Sequence, residues 1–137
     1  MPERTLTIDG VSNVTVDQRK EQWKGACVCP RFVQNRCYAV RGWDRQARQF
    51  CKANGLVYQG FSLLTANLQT LAAPEFAQVA ARHRRTIPQI VFRFALDVGM
   101  IPLTGTTDAE HLQADLAVFD FRLQPAEVAQ IEDLVAG

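Results

Sequence analysis

Short β-forming runs and helical stretches take turns along this chain four times, and that rhythm restricts the fold more than any single residue does. Leu6 to Val11, Phe32 to Cys37, Leu56 to Phe61 and Met100 to Leu103 are brief and largely apolar. Val14 to Ala26 follows the first with helical spacing and sets Trp23 on its buried side. Asp44 stands where it caps a helix running to about Ala53, closed by Asn54-Gly55. After a polar loop from Thr65 to Ala73, Pro74 opens a helix with Phe76, Val79, Ala80 and His83 on one face. Thr86-Ile87-Pro88 starts another, stopped by Gly99. Thr107-Asp108-Ala109-Glu110 has the form of a capping box, and Pro125 opens a last helix with Val128, Ile131, Leu134 and Val135 as its stripe. Such alternation with short joins predicts parallel strands linked by helical crossovers. Continuous apolar strands predict a sheet covered on both faces.

With 137 residues, 47% hydrophobic and 21% charged, the chain suits one globular unit. A net charge of +1 argues against nucleic acid as a partner. Arg41, Arg45, Arg48 and Lys52 fall at helical spacing and read as a solvated helix face. Arg82, Arg84 and Arg85 suit the C-terminal end of a helix dipole. No apolar run approaches the roughly 20 residues of a membrane span, and Met1-Pro2-Glu3-Arg4 leads into no signal-type core, so the expected location is the cytoplasm. Cys27, Cys29, Cys37 and Cys51 lack zinc-site spacing and read as free thiols in a reducing compartment, with no metal site expected.

In parallel α/β folds, ligands meet the carboxyl ends of the strands. The four ends here are Ser12-Asn13, Gln34-Asn35, Phe61-Ser62 and Thr104-Gly105-Thr106. Carboxamides, hydroxyls and an aromatic suit a neutral planar amide, since Asn13 and Gln34 each offer donor and acceptor. The run from Gly55 to Asn67 ends a buried strand in a ring and a hydroxyl, a natural wall for a planar ligand.

From about Gly10 onward these motifs resemble the aldo-keto reductase family from its fifth strand to the C-terminus. Gly10-Val11-Ser12-Asn13 looks like the fifth-strand signature and Phe32-Val33-Gln34-Asn35 like the sixth-strand end. Gly55 to Asn67 matches the seventh. Ile101 to Asp115, then Val118-Phe119-Asp120-Phe121 and the Pro125 helix, resemble the eighth strand, its adenosine-binding helix and the closing helix. The resemblance implies an α/β fold of parallel βα units making about half of a (β/α)8 TIM barrel. It implies NADP or NAD as cofactor and a small carbonyl or alcohol as substrate. Ser12, Asn13 and Gln34 would hold the nicotinamide carboxamide, Phe61 would stack on the ring, and Ser62 and Leu64 would touch the pyrophosphate. Thr106, His111 and Asp115 fall at the adenosine end. Two departures concern the cofactor's phosphate: Gly105 stands where many members have a lysine, and His111 and Asp115 replace the usual arginine and asparagine. Backbone N–H groups of the helix opening near Thr107 remain as phosphate donors.

Each assignment has a plainer alternative: Ser12 and Asn13 as helix caps, Gln34 as a core amide, Phe61 as packing, and His111 as a surface residue. In the family, the catalytic aspartate, tyrosine, lysine and histidine come from earlier strands, so no catalytic residue is assigned. Neither Tyr38 nor Tyr58 has a Lys–Asp pair placed to tune it. A closed barrel takes about 250 residues, and four strands make half of one. This leaves three readings: a cofactor-side half working with a first-half chain, a non-catalytic nucleotide-binding module, or an interaction protein whose open edges favour self-association. Substrate contacts are expected from the loops Arg36 to Trp43 and Thr65 to Ala73, with Tyr38, Trp43 and Leu68 making part of the pocket apolar.

Overall fold

The computed structural model describes residues 5–7, 31–105 and 108–134. Four strands, β1 (Thr5–Thr7), β2 (Phe32–Arg36), β3 (Val57–Phe61) and β4 (Met100–Pro102), form one parallel sheet in chain order. Register aligns Thr7 with Gln34, Gln34 with Gln59 and Gln59 with Ile101. A parallel sheet that never doubles back is the wall of a barrel, whereas a doubly wound sheet reverses its order at a switch point. The helices are α1 (Arg45–Ala53), α2 (Leu68–Leu71), α3 (Pro74–His83), α4 (Ile87–Asp97), α5 (Ala109–Leu116) and α6 (Pro125–Asp133). The expected first helix, and the expected end of the first strand at Ser12-Asn13, lie outside the described residues.

Side chains alternate along the strands, and the two faces of the sheet differ. Val33, Asn35, Tyr58, Gly60 and Met100 are buried on the face that meets the helices. Phe32, Gln34, Arg36, Val57, Gln59 and Phe61 are half-buried on the other, and Ile101 is exposed there. Covering of both faces, expected from the apolar strands, therefore holds on one face only among the described residues. In a closed barrel the inward face is covered by the opposite wall, and four strands are only part of that wall. Gly60 permits a close approach on the covered face: a Cβ there would lie 2.4 Å from Met100 Sδ.

The core gathers on the helix side around Trp43, Phe76, Ile90, Phe94 and Ile131, all fully buried. Trp43 packs its ring 5.2 Å from that of Phe94 and donates from Nε1 to the Ile131 carbonyl at 3.1 Å. It is a core residue joining α1, α4 and α6, and not the pocket wall its loop position predicts. Cys37 and Cys51 are buried thiols, as expected, while Cys27 and Cys29 lie outside the described residues.

Tertiary contacts revise several local expectations. Thr86 and Gln89 form a reciprocal cap that opens α4. Asp44 precedes α1 but does not cap it; in a left-handed conformation at φ 56° it turns inward and accepts from Asn35 Nδ2 and the Tyr58 hydroxyl. Asp108 is the cap of α5, whereas the spacing points to Thr107, which lies outside the described residues. Of the expected solvated face, Arg41 and Lys52 are exposed and Arg45 stays partly so, whereas Arg48 is drawn inward. Arg48 donates to the carbonyls of Trp43 and Gly42 at 2.8 and 3.1 Å and pairs with Glu132 at 2.6 Å. Arg45 pairs with Glu132 and Asp133. Acids of α6 thus tie both arginines into a joint between distant parts of the chain, with only Arg48 buried in it.

Candidate functional site

The tips of β2 and β3 and the loop after β4 form one rim. Gln34 lies on the open face and donates from Nε2 to Gln59 Oε1 at 3.0 Å, so two carboxamides sit side by side in register. One step further along, Arg36 stands in register with Phe61. Ser62 then takes a left-handed conformation, φ 55°, which a serine adopts only at some cost in strain. Its carbonyl accepts from the Ala66 amide at 2.9 Å, closing the turn. Leu63 is buried beneath the turn, and Leu64 comes back to the rim.

A cleft of about 480 Å³ opens here, lined by Phe61, Ser62, Leu64, Phe92, Leu103 and Gly105 among others. The Leu103 amide donates to the Gly60 carbonyl at 2.8 Å and prolongs the β3–β4 pairing up to the cleft. Asn67 holds the rim together: its Oδ1 accepts from the Ala39 amide at 2.7 Å, and its Nδ2 donates to the carbonyls of Cys37 and Leu63 at 2.9 and 2.8 Å. The loops after β2 and β3 are thereby fixed to each other. Sequence alone assigns Asn67 no role, because one asparagine in a polar loop carries no pattern that announces three buried bonds.

Of the predicted site residues, Phe61, Ser62 and Leu64 come together in the cleft, and Gln34 lies one residue pair further down the open face. Ser12, Asn13 and Thr106 lie outside the described residues. His111 is exposed on α5, and Asp115, one turn on, is half-buried; neither lines the cleft. The α5 N-terminus has a partner of its own. Asp108 Oδ1 accepts from the amides of Glu110 and His111 at 2.8 and 3.2 Å. Those bonds, His111 first, hold the Asp108 carboxyl below its ordinary range. A phosphate at this end would meet a carboxylate already seated on the two amides. Tyr58, the tyrosine nearest a carboxylate, is buried on the helix side with its hydroxyl on Asp44, away from the open face.

An aromatic edge on a cleft, a hydroxyl in a tight turn and a carboxamide pair below are the donor set a nicotinamide and its ribose diphosphate call for. The residues present fit such a group, and a helix-backed parallel wall with its cleft at the strand tips defines the class: a (β/α)8-type half-barrel.

The sequence profile of the aldo/keto reductase family matches residues 8–136. The chain belongs to the aldo/keto reductase family. It is 25% identical over 134 residues to the 9,11-endoperoxide prostaglandin H2 reductase of Trypanosoma cruzi, covering 96% of this chain and 47% of that one. To the glyoxal reductase of Bacillus subtilis it is 26% identical over 125 residues, covering 91% and 45%. The chain thus spans a little under half the length of these relatives. Among solved structures, an aldo/keto reductase from Brucella melitensis superposes with a TM-score of 0.74 at 19% identity, covering 90% of this chain and 46% of the other. A Bombyx mori aldo-keto reductase in complex with NADP gives 0.73 at 19% identity, covering 86% and 41%. The fold is therefore about half of an aldo-keto reductase barrel.

Proposed function

We propose that this chain is the cofactor-binding half of an aldo-keto reductase, serving NAD(P)H-dependent reduction of an aldehyde or ketone, or the reverse oxidation of an alcohol. The observation that carries the reading is the convergence of Phe61, Ser62 and Leu64 on one cleft, with Gln34 next to it, in a chain matched to the family over 8–136. Relatives solved with NADP or NADPH support the cofactor class. Phe61 offers its ring to the nicotinamide, Gln34 its amide to the carboxamide, and Ser62 and Leu64 the turn that receives the diphosphate. Ser12 and Asn13 join Gln34 at the carboxamide, and Thr106, His111 and Asp115 take the adenosine end. The bound nicotinamide supplies or accepts the hydride. Proton transfer to the carbonyl oxygen needs an acid at the same centre, and Tyr58 is turned away from it. That acid comes from the first half of the barrel, which contributes the remaining wall.

The test is complementation. The 137-residue chain alone should show little or no NADPH-dependent reduction of a small aldehyde panel. Adding a polypeptide that supplies the first four βα units of a family member should restore turnover. Robust reduction by the isolated chain would overturn the division of labour, and failure of every such pairing despite cofactor binding would favour a non-catalytic module.

A further inference from the structure

Gln34 and Gln59 stand opposite each other on the open face of β2 and β3, and Gln34 Nε2 donates to Gln59 Oε1 at 3.0 Å. Backbone pairing fixes Gln59 from both sides, in register with Gln34 on β2 and Ile101 on β4. The covered face clamps the same level of the sheet. Asn35 and Tyr58, the chain neighbours of the two glutamines, both donate to one oxygen of Asp44. Gln59 Oε1 is therefore an acceptor carried on a wall that is held on both faces. Phe61 follows two residues later on the same face, about 6.6 Å along the strand. Gln59 thus stands one step below the ring-stacking position and beside the glutamine of the proposed carboxamide contact.

A glutamine amide left to itself presents oxygen or nitrogen with little preference, because its last torsion is broad and nearly two-fold. A hydrogen bond from Nε2 to a fixed acceptor removes that freedom: nitrogen turns toward β3 and oxygen away from it. A carboxamide oxygen accepts two hydrogen bonds, so Gln34 Oε1 in this sense can receive an N–H from a ligand amide whatever else it meets. Resting on the cofactor-site reading above, we infer that Gln59 is a positioning residue. It holds the Gln34 amide with Oε1 toward an N–H donor, and so makes the site select a ring bearing a carboxamide over one bearing a methyl ketone. The two ring substituents share a carbonyl and differ only in NH2 against CH3, so the selection rests on one hydrogen bond.

The experiment titrates the full chain and its Gln59→Met and Gln59→Glu variants calorimetrically with three ligands: NADP+, its 3-acetylpyridine analogue, and 2′-phospho-ADP-ribose, which lacks the ring. Circular dichroism reports whether each variant folds. Wild type is expected to bind NADP+ about three- to tenfold more tightly than the acetylpyridine analogue, the worth of one hydrogen bond. Methionine keeps the length of glutamine without its acceptor, so in Gln59→Met that preference should shrink to about twofold or less. Binding of 2′-phospho-ADP-ribose should not change. Glutamate only accepts, so Gln59→Glu should keep the wild-type preference. A preference that survives in Gln59→Met would overturn the inference, as would its absence from a wild type that binds both dinucleotides. Equal weakening of all three ligands would show a purely structural role and overturn it too. Loss of the preference in Gln59→Glu would mean that Gln59 is the donor of the pair, which also contradicts the inference. A wild-type chain that binds neither dinucleotide defeats the cofactor-site reading and this inference with it; each of the other contrary results defeats this inference alone. If Gln59→Met does not fold, Gln59→Leu replaces it in the same comparison.

Discussion

Asn67 ties two loops with three buried hydrogen bonds, and its removal leaves an amide and two carbonyls unpaired. Asn67→Ala should lower stability by about 2–4 kcal/mol in urea denaturation, more than a loop residue ordinarily would. Asn67→Asp should not rescue it, because the acceptor survives and the two donors are lost. A loss under about 0.5 kcal/mol would show that the loops hold without it. Cys37 gives a second test. Burial pushes its thiol far up, and the neighbouring Asp44 carboxylate pushes the same way. Iodoacetamide at about pH 8 should therefore leave Cys37 unmodified in the folded chain and label it in urea, as read by peptide mass spectrometry. The place of Phe61 and Ser62 at a strand tip was legible because they end an apolar strand. The role of Asn67 was not, since two of its three bonds reach Ala39 and Cys37, 28 and 30 positions away in the chain.

Elements were legible where periodicity is local and lost where the chain returns on itself. Strands β2, β3 and β4 fall within a residue of their sequence limits at most ends, and Pro74 and Pro125 open α3 and α6 as expected. The 3-10 turns at Ala39–Arg41 and Ala117–Asp120, and the short α2, gave no periodic signal. Spacing located the arginine stripe of α1, but not the acids of α6 that come back onto it. The same helix is tied to α3: buried Glu127 pairs with His83 Nε2 at 2.7 Å and Arg82 at 3.1 Å, and accepts from the Gln124 amide. Burial alone would raise the Glu127 carboxyl; the His83 hydrogen bond, the Gln124 amide and the nearby positive charges outweigh it and hold the group below its ordinary 4.5. A carboxyl lowered in the folded state contributes stability that is present above its unfolded value and lost as pH falls through the folded one. Glu127→Gln should therefore be less stable than wild type near neutrality, with the gap shrinking as pH falls below about 4.5 in acid-dependent urea melts. A gap unchanged down to about pH 3 would contradict the assignment.

At the scale of the whole molecule, the half-barrel comes from four strands in sequential order, and the sequence rhythm carried that far. The rhythm did not show the asymmetry of the sheet, one face packed and one open, because an apolar strand reads alike whether its second face meets helices or the opposite wall of a barrel. Among the described residues, β1 and β4 each leave one edge unpaired, and Leu112, Leu116 and Phe119 form an exposed apolar stripe. Open edges and exposed apolar surface each favour pairing with another chain. Light scattering at rising concentration should accordingly reveal species heavier than the 15.3 kDa monomer, and a strict monomer throughout would count against it. The cofactor site itself is tested most directly by calorimetric titration of the folded chain with NADPH and NADH. Saturable binding near one cofactor per chain, weakened when Phe61 is replaced by alanine, is the predicted result; a folded chain with no saturable binding of either cofactor would contradict it.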